Sequence, residues 1–129
     1  MMTWKMSFSV GNLPIQPYVV LKEDTPLLRM RYFYRGNNWL FVDRMLIKVD
    51  DQKVDVNGLA FKRDNSGRSV WEWHDKIASS EDIKLLNDII SSKDAKVRFY
   101  GKQSYSDNEI SSKQRKFMSN IMKVYEMFN

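Results

Sequence analysis

The chain has 129 residues, enough for one domain that buries about two-thirds of its unfolded surface around a single core. Its hydrophobic fraction of 43% and aromatic fraction of 13% exclude an intrinsically disordered protein. The net charge of +5 suits an anionic partner, but the basic residues are scattered and form no run. Cysteine is absent, which excludes disulfides and thiolate chemistry.

The sequence contains no apolar run of about 18 residues, so it predicts no transmembrane helix. The first ten residues, MMTWKMSFSV, alternate like a strand and lack the basic segment and apolar core of an export signal. Two locations therefore stay open: the interior of the cell, or export with the signal segment removed.

The first part of the chain predicts strands. Trp4, Met6, Phe8 and Val10 alternate with polar residues, which is the period-two pattern of a strand with one buried face. Tyr18–Leu21 is a second, shorter candidate, after a proline-containing connection.

Residues 27–49 predict a β-hairpin around which the fold is organised. Two β-rich arms, Leu27–Arg35 and Trp39–Val49, are joined by Gly36-Asn37-Asn38, and a short Gly/Asn loop between such runs is typical of a hairpin. The second arm is apolar on both faces, which predicts a buried central strand. Asp43-Arg44 interrupts this pattern and indicates a bulge or a pass between two sheets.

The first arm has two chemically different faces. One face is apolar, whereas the other carries arginines and a phenylalanine. The apolar face consists of Leu28, Met30, Tyr32 and Tyr34, and the other of Arg29, Arg31, Phe33 and Arg35.

Two further strands are predicted at Val54–Phe61 and Val70–His74, so the first 75 residues resemble a β meander. One more strand is predicted at Ala95–Lys102. Asn57-Gly58 indicates a bulge within the first of these strands.

Two helices follow from periodicity and capping. Ser79 or Ser80 begins a helix with an acidic first turn, and Ser111-x-x-Gln114 is a capping box that begins the last helix. The last helix has an apolar stripe that we expect to pack on the sheet. The stripe consists of Phe117, Ile121, Val124, Tyr125 and Phe128. The predicted fold is a single α+β domain over residues 1–129, a mostly antiparallel β-sheet or small β-sandwich of roughly six to eight strands with two helices in the C-terminal half.

His74 is the single histidine, and Glu72 and Asp75 lie close to it in the sequence. A strand places Glu72 and His74 on one face, as a general base or a metal site requires. The alternative is an ordinary histidine at the surface or at the end of a strand. No nucleophile motif, phosphate loop or dinucleotide fingerprint accompanies it, so the sequence predicts no catalytic residue, no metal and no cofactor.

Trp71 and Trp73 lie two residues apart and therefore share one face of their strand. On an exposed face they would form a stacking platform for a base or a sugar. In a domain of this size we favour the core for both rings, because a small core needs large side chains.

The hairpin arginines Arg29, Arg31 and Arg35 form a row that suits bidentate contact with phosphate or carboxylate. Arg98 and Lys102 extend this row if the two strands are neighbours. The alternative is that each arginine pairs with an acidic residue on the next strand or faces water.

Three stretches carry a resemblance: NNWLFVDRMLIKVDD at 37–51, RDNSGRSVWEWHD at 63–75 and IISSKDAKVRFYGKQSYSDNEISSKQRK at 89–116. In this order and spacing they resemble a family of small uncharacterised bacterial domains, often found on exported or lipoprotein-like proteins. The resemblance implies an exported or envelope-tethered form, and it transfers no catalytic residue.

These observations leave three functional hypotheses. The first is a non-catalytic binding or accessory module with a protein partner, at the bacterial cell envelope. The second is a nucleic-acid-binding domain that uses the hairpin arginines together with exposed aromatic residues. The third is a small hydrolase centred on His74. The oligomeric state stays open.

Overall fold

The computed structural model describes residues 3–6 and 12–128, and these ranges contain nine strands and two helices. The elements in chain order are β1 (Thr3–Met6), β2 (Ile15–Lys22), β3 (Thr25–Gly36), β4 (Arg44–Val49), β5 (Gln52–Asn57), β6 (Lys62–Ser66), β7 (Ser69–Ile77), α1 (Ser80–Ser91), β8 (Ala95–Tyr100), β9 (Tyr105–Glu109) and α2 (Ser112–Met127). The protein is therefore α+β with both helices in the C-terminal half, which confirms the predicted fold class.

The first sheet is antiparallel, with strand order β1-β2-β3-β7-β6. β3 is its central strand, and every second side chain of β3 is buried, because one face of the strand packs into the core. We call this the inner face; its residues in β3 are Leu28, Met30, Tyr32 and Tyr34. The alternation predicted for this strand is thus confirmed.

The second sheet is also antiparallel, with order β5-β4-β8-β9. Its buried side chains come from the two middle strands and pack into the same core as those of the first sheet. They are Met45, Ile47 and Val49 from β4 and Ala95, Val97 and Phe99 from β8.

The helices complete the core. α1 begins at a capping box between Ser79 and Asp82, and α2 at a capping box between Ser111 and Gln114, as the sequence predicts for α2. α2 packs against α1, β2 and β3, and Ile121 is buried as expected. Phe128 is 46% exposed, so the predicted stripe is wrong at its end; Met118 and Met122 are buried on this helix instead.

The predicted hairpin is wrong. β3 pairs with β2 and β7, whereas β4 belongs to the second sheet, so residues 37–43 carry the chain from one sheet to the other. The pass between two sheets is therefore the correct explanation of the break at Asp43-Arg44. Trp39 and Phe41 precede β4 and are 37% and 46% exposed, because they lie in this connection and not in a buried strand.

Other strand boundaries also differ from expectation. β6 and β9 were not predicted, since both are short and polar and keep most residues exposed. β5 ends at Asn57, and Gly58 follows with a φ of +76° that favours glycine, so the expected bulge is the end of the strand. Of the first predicted strand, the part from residue 7 to 10 lies outside the described residues.

β8 ends where the chain passes very close to the connection between the sheets. A Cβ atom at Gly101 would lie 1.8 Å from the carbonyl oxygen of Leu40, so this position requires glycine. Among the described residues, neither helix is long and apolar enough to cross a bilayer.

Candidate functional site

The outer face of the first sheet gathers arginines and aromatic rings. Because directly opposite residues of antiparallel strands point to the same side, Phe33 lies beside Trp73, and Arg35 lies beside Trp71. Arg31 lies two residues from Phe33 on the same face. We call these five residues the arginine–aromatic face.

This face is partly open to solvent. Arg31, Phe33, Trp71 and Trp73 are half-buried and Arg35 is exposed, whereas the inner-face residues of the same strands are almost fully buried. Both helices contribute their buried side chains to the core on the inner side. The expectation that the two tryptophans belong to the core is therefore wrong, because their strand turns the opposite side chains inward.

Arg29 is on the same side of the sheet but is held by its neighbours. Its Nε atom donates to Oδ1 of Asp75 at 3.0 Å and to the Tyr18 hydroxyl at 3.1 Å. Tyr18 in turn donates to the other oxygen of Asp75. Burial and the neighbouring Asp75 carboxylate raise the pKa of Tyr18 above its ordinary value. Arg29 lies in the predicted arginine row, but its guanidinium is held by Asp75 and Tyr18 and has a structural role.

Arg31 and Arg35 are different. Arg31 donates from Nε to Oε1 of Gln16 at 2.8 Å, and its guanidinium lies 5.9 Å from the ring centre of Phe33. Arg35 has a long contact of 3.5 Å to the Ser69 hydroxyl. Within residues 3–6 and 12–128, no ion pair joins either arginine to a carboxylate. Their charges are available to a ligand.

The surroundings of the face add positive charge. Lys62 lies opposite Trp73 on the adjacent strand and is exposed, while Asp64 lies opposite Trp71. Asp75 is opposite Arg31 in the register, yet its oxygens accept from Tyr18 and Arg29. Among the described residues of β3, β6 and β7, three cations on this side lie outside ion pairs, Arg31, Arg35 and Lys62, against one carboxylate, Asp64.

Arg98 and Lys102 do not extend the row. Arg98 is on β8 in the second sheet, where it binds both oxygens of Asp107 at 2.7 and 2.8 Å. Its guanidinium also lies 4.1 Å from the ring centre of Tyr105. Lys102 follows β8 and lines a cleft of about 340 Å³ beside Trp39 and Phe41. The condition for an extended row, that the two strands are neighbours, is not met.

The residues of the hydrolase hypothesis lie on both sides of β7, with Glu72 and His74 on the inner face and Asp75 on the outer face. Glu72 points inward and is fully buried, whereas Asp75 is on the outer face with Arg29. The Nδ1 atom of His74 lies 2.8 Å from the carbonyl oxygen of Ala60. The described part of the chain contains no group of three or more acidic or histidine residues that could hold a metal ion.

Glu72 has a structural role that sequence reasoning missed. Its carboxylate accepts the backbone N–H groups of Leu40, Phe41 and Val42 at 2.7, 2.9 and 2.8 Å, and the Nε of Arg63 at 3.1 Å. These bonds hold the connection between the sheets, where Phe41 has a φ of +57° that is unfavourable for an aromatic residue. The available signal was a charge on the buried face of a strand, which requires a partner.

A second concave region lies between β5 and the start of α1, with a volume of about 430 Å³. It contains the ion pair between Nζ of Lys76 and Oδ2 of Asp82, at 2.8 Å. Burial and the charge of Asp82 raise the pKa of Tyr32, which disfavours a tyrosinate nucleophile. Of the lining side chains, Asp82 thus belongs to the cap of α1 and Tyr32 to the core.

The structure places five of the seven candidate binding residues on one face, together with Phe33, and the other two elsewhere. The residues that share the outer face of the first sheet are Arg29, Arg31, Arg35, Trp71 and Trp73; those placed elsewhere are Arg98 and Lys102. Comparisons with protein-family models, curated proteins and solved structures give no match for this chain.

Proposed function

We propose that the protein is a non-catalytic binding module and that the arginine–aromatic face is its binding surface for an anionic ligand. The observation that carries this proposal is the pair Arg31 and Arg35. Within the described residues these two cations have no carboxylate partner, and they lie on an open face beside three aromatic rings. Guanidinium groups bind phosphate and carboxylate in a planar, bidentate manner.

The backbone beneath this face supports the same proposal. All five residues lie on β3 and β7, two paired strands whose opposite sides are buried in the core. The strand pairing fixes the backbone positions of these residues before the ligand arrives, which reduces the entropy cost of binding. Arginine and tryptophan are also the residue types that contribute most at binding surfaces.

The non-catalytic part of the proposal is supported by the bonds that occupy Glu72 and by the position of Asp75 on the opposite face from His74. A general base needs a histidine oriented toward a substrate and within reach of a second polar group. Here Glu72 is occupied by three backbone N–H groups, and Asp75 lies on the other side of the sheet.

Calorimetric titration with inorganic polyphosphate at about 50 mM salt tests the anion-binding face. We expect the double substitution Arg31→Ala and Arg35→Ala to weaken binding at least about tenfold. The matched control is Arg44→Ala with Arg98→Ala, two arginines on the outer face of the second sheet. Equal affinities in the two double variants, or no binding by the wild-type protein, would overturn the proposal.

A second candidate function, a module that docks a partner protein, is favoured by the connection between the sheets. Trp39 and Phe41 are exposed there with their ring centres 6.4 Å apart. Arg63 lies 5.0 Å from the ring centre of Phe41, and clefts lined by Arg68 and Lys102 flank Trp39. An exposed aromatic pair with a basic rim suits a protein contact. We place such a partner at the bacterial cell envelope, the location that the family resemblance implies.

Site-specific photo-crosslinking in cells tests this second candidate. A photoreactive phenylalanine analogue at position 41 should give a discrete crosslinked protein, because the ring is exposed on a fixed loop. The same analogue at Tyr105, an exposed aromatic position on the second sheet, is the control. Identical products from both positions, or none from position 41, would reject a protein partner at Trp39 and Phe41.

A further inference from the structure

We infer that the ligand of the arginine–aromatic face is single-stranded nucleic acid, an inference that rests on the proposed function and names its substrate class. The bases would stack on Phe33, Trp71 and Trp73, and the phosphates would contact Arg31 and Arg35. Both kinds of group lie on the outer face of the same two paired strands.

The spacing of the side chains carries this inference. Residues two apart on a strand are about 6.6 Å apart, and neighbouring strands are about 4.8 Å apart. The row Arg31, Phe33, Arg35 on β3 therefore alternates cation, ring and cation, and Trp73 and Trp71 add two rings beside it on β7. A ligand that fits this surface repeats a negative charge and a planar apolar group along one chain, as a nucleic acid does.

Other anionic polymers fit less well. Polyphosphate has no planar group to contact the three rings, and an acidic polypeptide has carboxylates without regularly repeated aromatic faces. Base–aromatic stacking contributes about 1–3 kcal/mol per base, which corresponds to roughly five- to 150-fold in affinity per ring. The rings should therefore distinguish nucleic acid from a polymer that only carries charge.

The shape of the surface favours a single strand over a duplex. The bases of a duplex are stacked on one another, and the major groove, about 12 Å wide, admits a helix or a two-stranded ribbon. In this protein the binding residues lie across the middle of a five-stranded sheet, and both helices pack on its inner side. Unpaired bases can instead lie flat on exposed rings.

Fluorescence anisotropy with labelled oligonucleotides of about twelve nucleotides tests the inference. The probes are oligouridine, oligothymidine, a duplex of the same length, polyphosphate of matched charge and polyglutamate, at about 50 mM salt. We expect the single strands to bind at least about tenfold more tightly than every other probe. Phe33→Leu and Trp71→Leu should each weaken single-strand binding by about fivefold or more and polyphosphate binding by less than about twofold, because polyphosphate has no planar group to stack on a ring.

The control variants are Tyr105→Leu and Arg98→Ala on the second sheet, which should bind as the wild-type protein does. Arg31→Gln, a substitution on the half-exposed outer face, tests the phosphate contact if a ring variant does not fold.

Each other outcome has a definite meaning. If polyphosphate binds as tightly as the single strands and the ring variants change nothing, the nucleic-acid inference is overturned while the proposed anion-binding face stands. Tighter binding of the duplex or of polyglutamate likewise overturns only the inference. If none of the probes binds, both the inference and the proposed function are rejected.

Discussion

The outer faces of both sheets carry arginines beside aromatic rings, but the arginines differ in whether they are paired with a carboxylate. On the second sheet, Arg44 pairs with Asp55 at 3.5 Å and stacks 4.0 Å from the ring centre of Tyr100, while Arg98 binds both oxygens of Asp107. On the first sheet, Arg31 and Arg35 lie among aromatic rings and have no carboxylate partner in the described residues.

The difference between the faces arises from the neighbouring strands. Asp107 lies directly opposite Arg98, so this arginine is neutralised across the strand pair. Asp75 lies directly opposite Arg31, but its oxygens accept from Tyr18 and Arg29. Residue type alone therefore does not show whether an arginine can bind a ligand; the bonds made by its neighbours decide.

The largest effect is expected where the chain passes from one sheet to the other. Glu72→Ala leaves three backbone N–H groups without their acceptor in the protein interior and should lower the free energy of unfolding by about 3–5 kcal/mol. Urea denaturation measures this loss. Glu109→Ala, at an exposed position on β9, is the control and should change stability by less than about 0.5 kcal/mol. A small effect of Glu72→Ala would show that the connection is held by other contacts.

The next largest effect concerns the salt dependence of ligand binding. If Arg31 and Arg35 each contact a phosphate of a single strand, their joint removal should reduce the slope of log affinity against log salt by about 1.4. Binding titrations over a range of salt concentrations measure the slope. Removal of Arg44 and Arg98 should leave the slope unchanged, because in the wild-type protein these arginines are paired with Asp55 and Asp107 and contact no phosphate. An equal reduction in both double variants would contradict the assignment of the binding face.

A smaller effect is expected on the inner side of β7. Burial opposes ionisation of Asp82, but hydrogen bonds from Lys76 and Ser79 outweigh it and hold the pKa of this carboxyl below its ordinary value of 3.8. A carboxyl whose pKa is lower in the folded than in the unfolded state stabilises the protein at pH values above the unfolded-state pKa. This stabilisation is lost as the pH falls through the folded-state pKa. Asp82→Asn should therefore cost about 1 kcal/mol at neutral pH, and the gap to the wild-type protein should close below about pH 3.8.

Thermal unfolding at several pH values measures this gap. Asp88→Asn on the same helix is the control, since Asp88 pairs with Lys84, one helical turn away, on the exposed surface. The control should cost only about 0.3–0.5 kcal/mol at neutral pH. A gap for Asp82→Asn that widens as the pH falls would show that the sign of its pKa shift is wrong.

The smallest effect sharpens the contrast between Arg29 and its neighbour Arg31. Asp75→Asn removes a negative charge beside the arginine–aromatic face and should raise the affinity for an anionic ligand by roughly twofold to fivefold. Anisotropy with labelled oligouridine measures the change. Asp107→Asn on the second sheet should not alter the affinity, and a gain there equal to that of Asp75→Asn would locate the ligand elsewhere.

The sequence predicts those parts of this fold that depend on local pattern. Period-two alternation assigns Leu28 and Arg29 to opposite faces of β3, and the capping box at Ser111 correctly places the start of α2. Trp71 and Trp73 are correctly assigned to one face, but the sequence does not show which face is covered, because that depends on where the helices pack.

The remaining parts depend on contacts between distant residues. Trp39 and Phe41 alternate with buried Leu40 and Val42 as they would in a strand. The backbone N–H groups of residues 40–42 instead donate to Glu72, about thirty residues later. Asp75 neutralises Arg29, which contacts it diagonally, and also accepts a hydrogen bond from Tyr18 on a third strand. A charge on a buried face signals that Glu72 needs a partner, but no local pattern identifies the partner of Glu72 or of Asp75.

The most direct test of the binding face is an NMR titration that observes both sheets in one sample. On addition of single-stranded oligouridine, the indole N–H signals of Trp71 and Trp73 and the Nε–H signal of Arg31 should shift together. The Nε–H signals of Arg44 and Arg98 should stay unchanged, because their guanidinium groups remain bound to their own carboxylates. Shifts confined to the second sheet, or spread equally over both, would contradict the conclusion that the arginine–aromatic face is the binding surface.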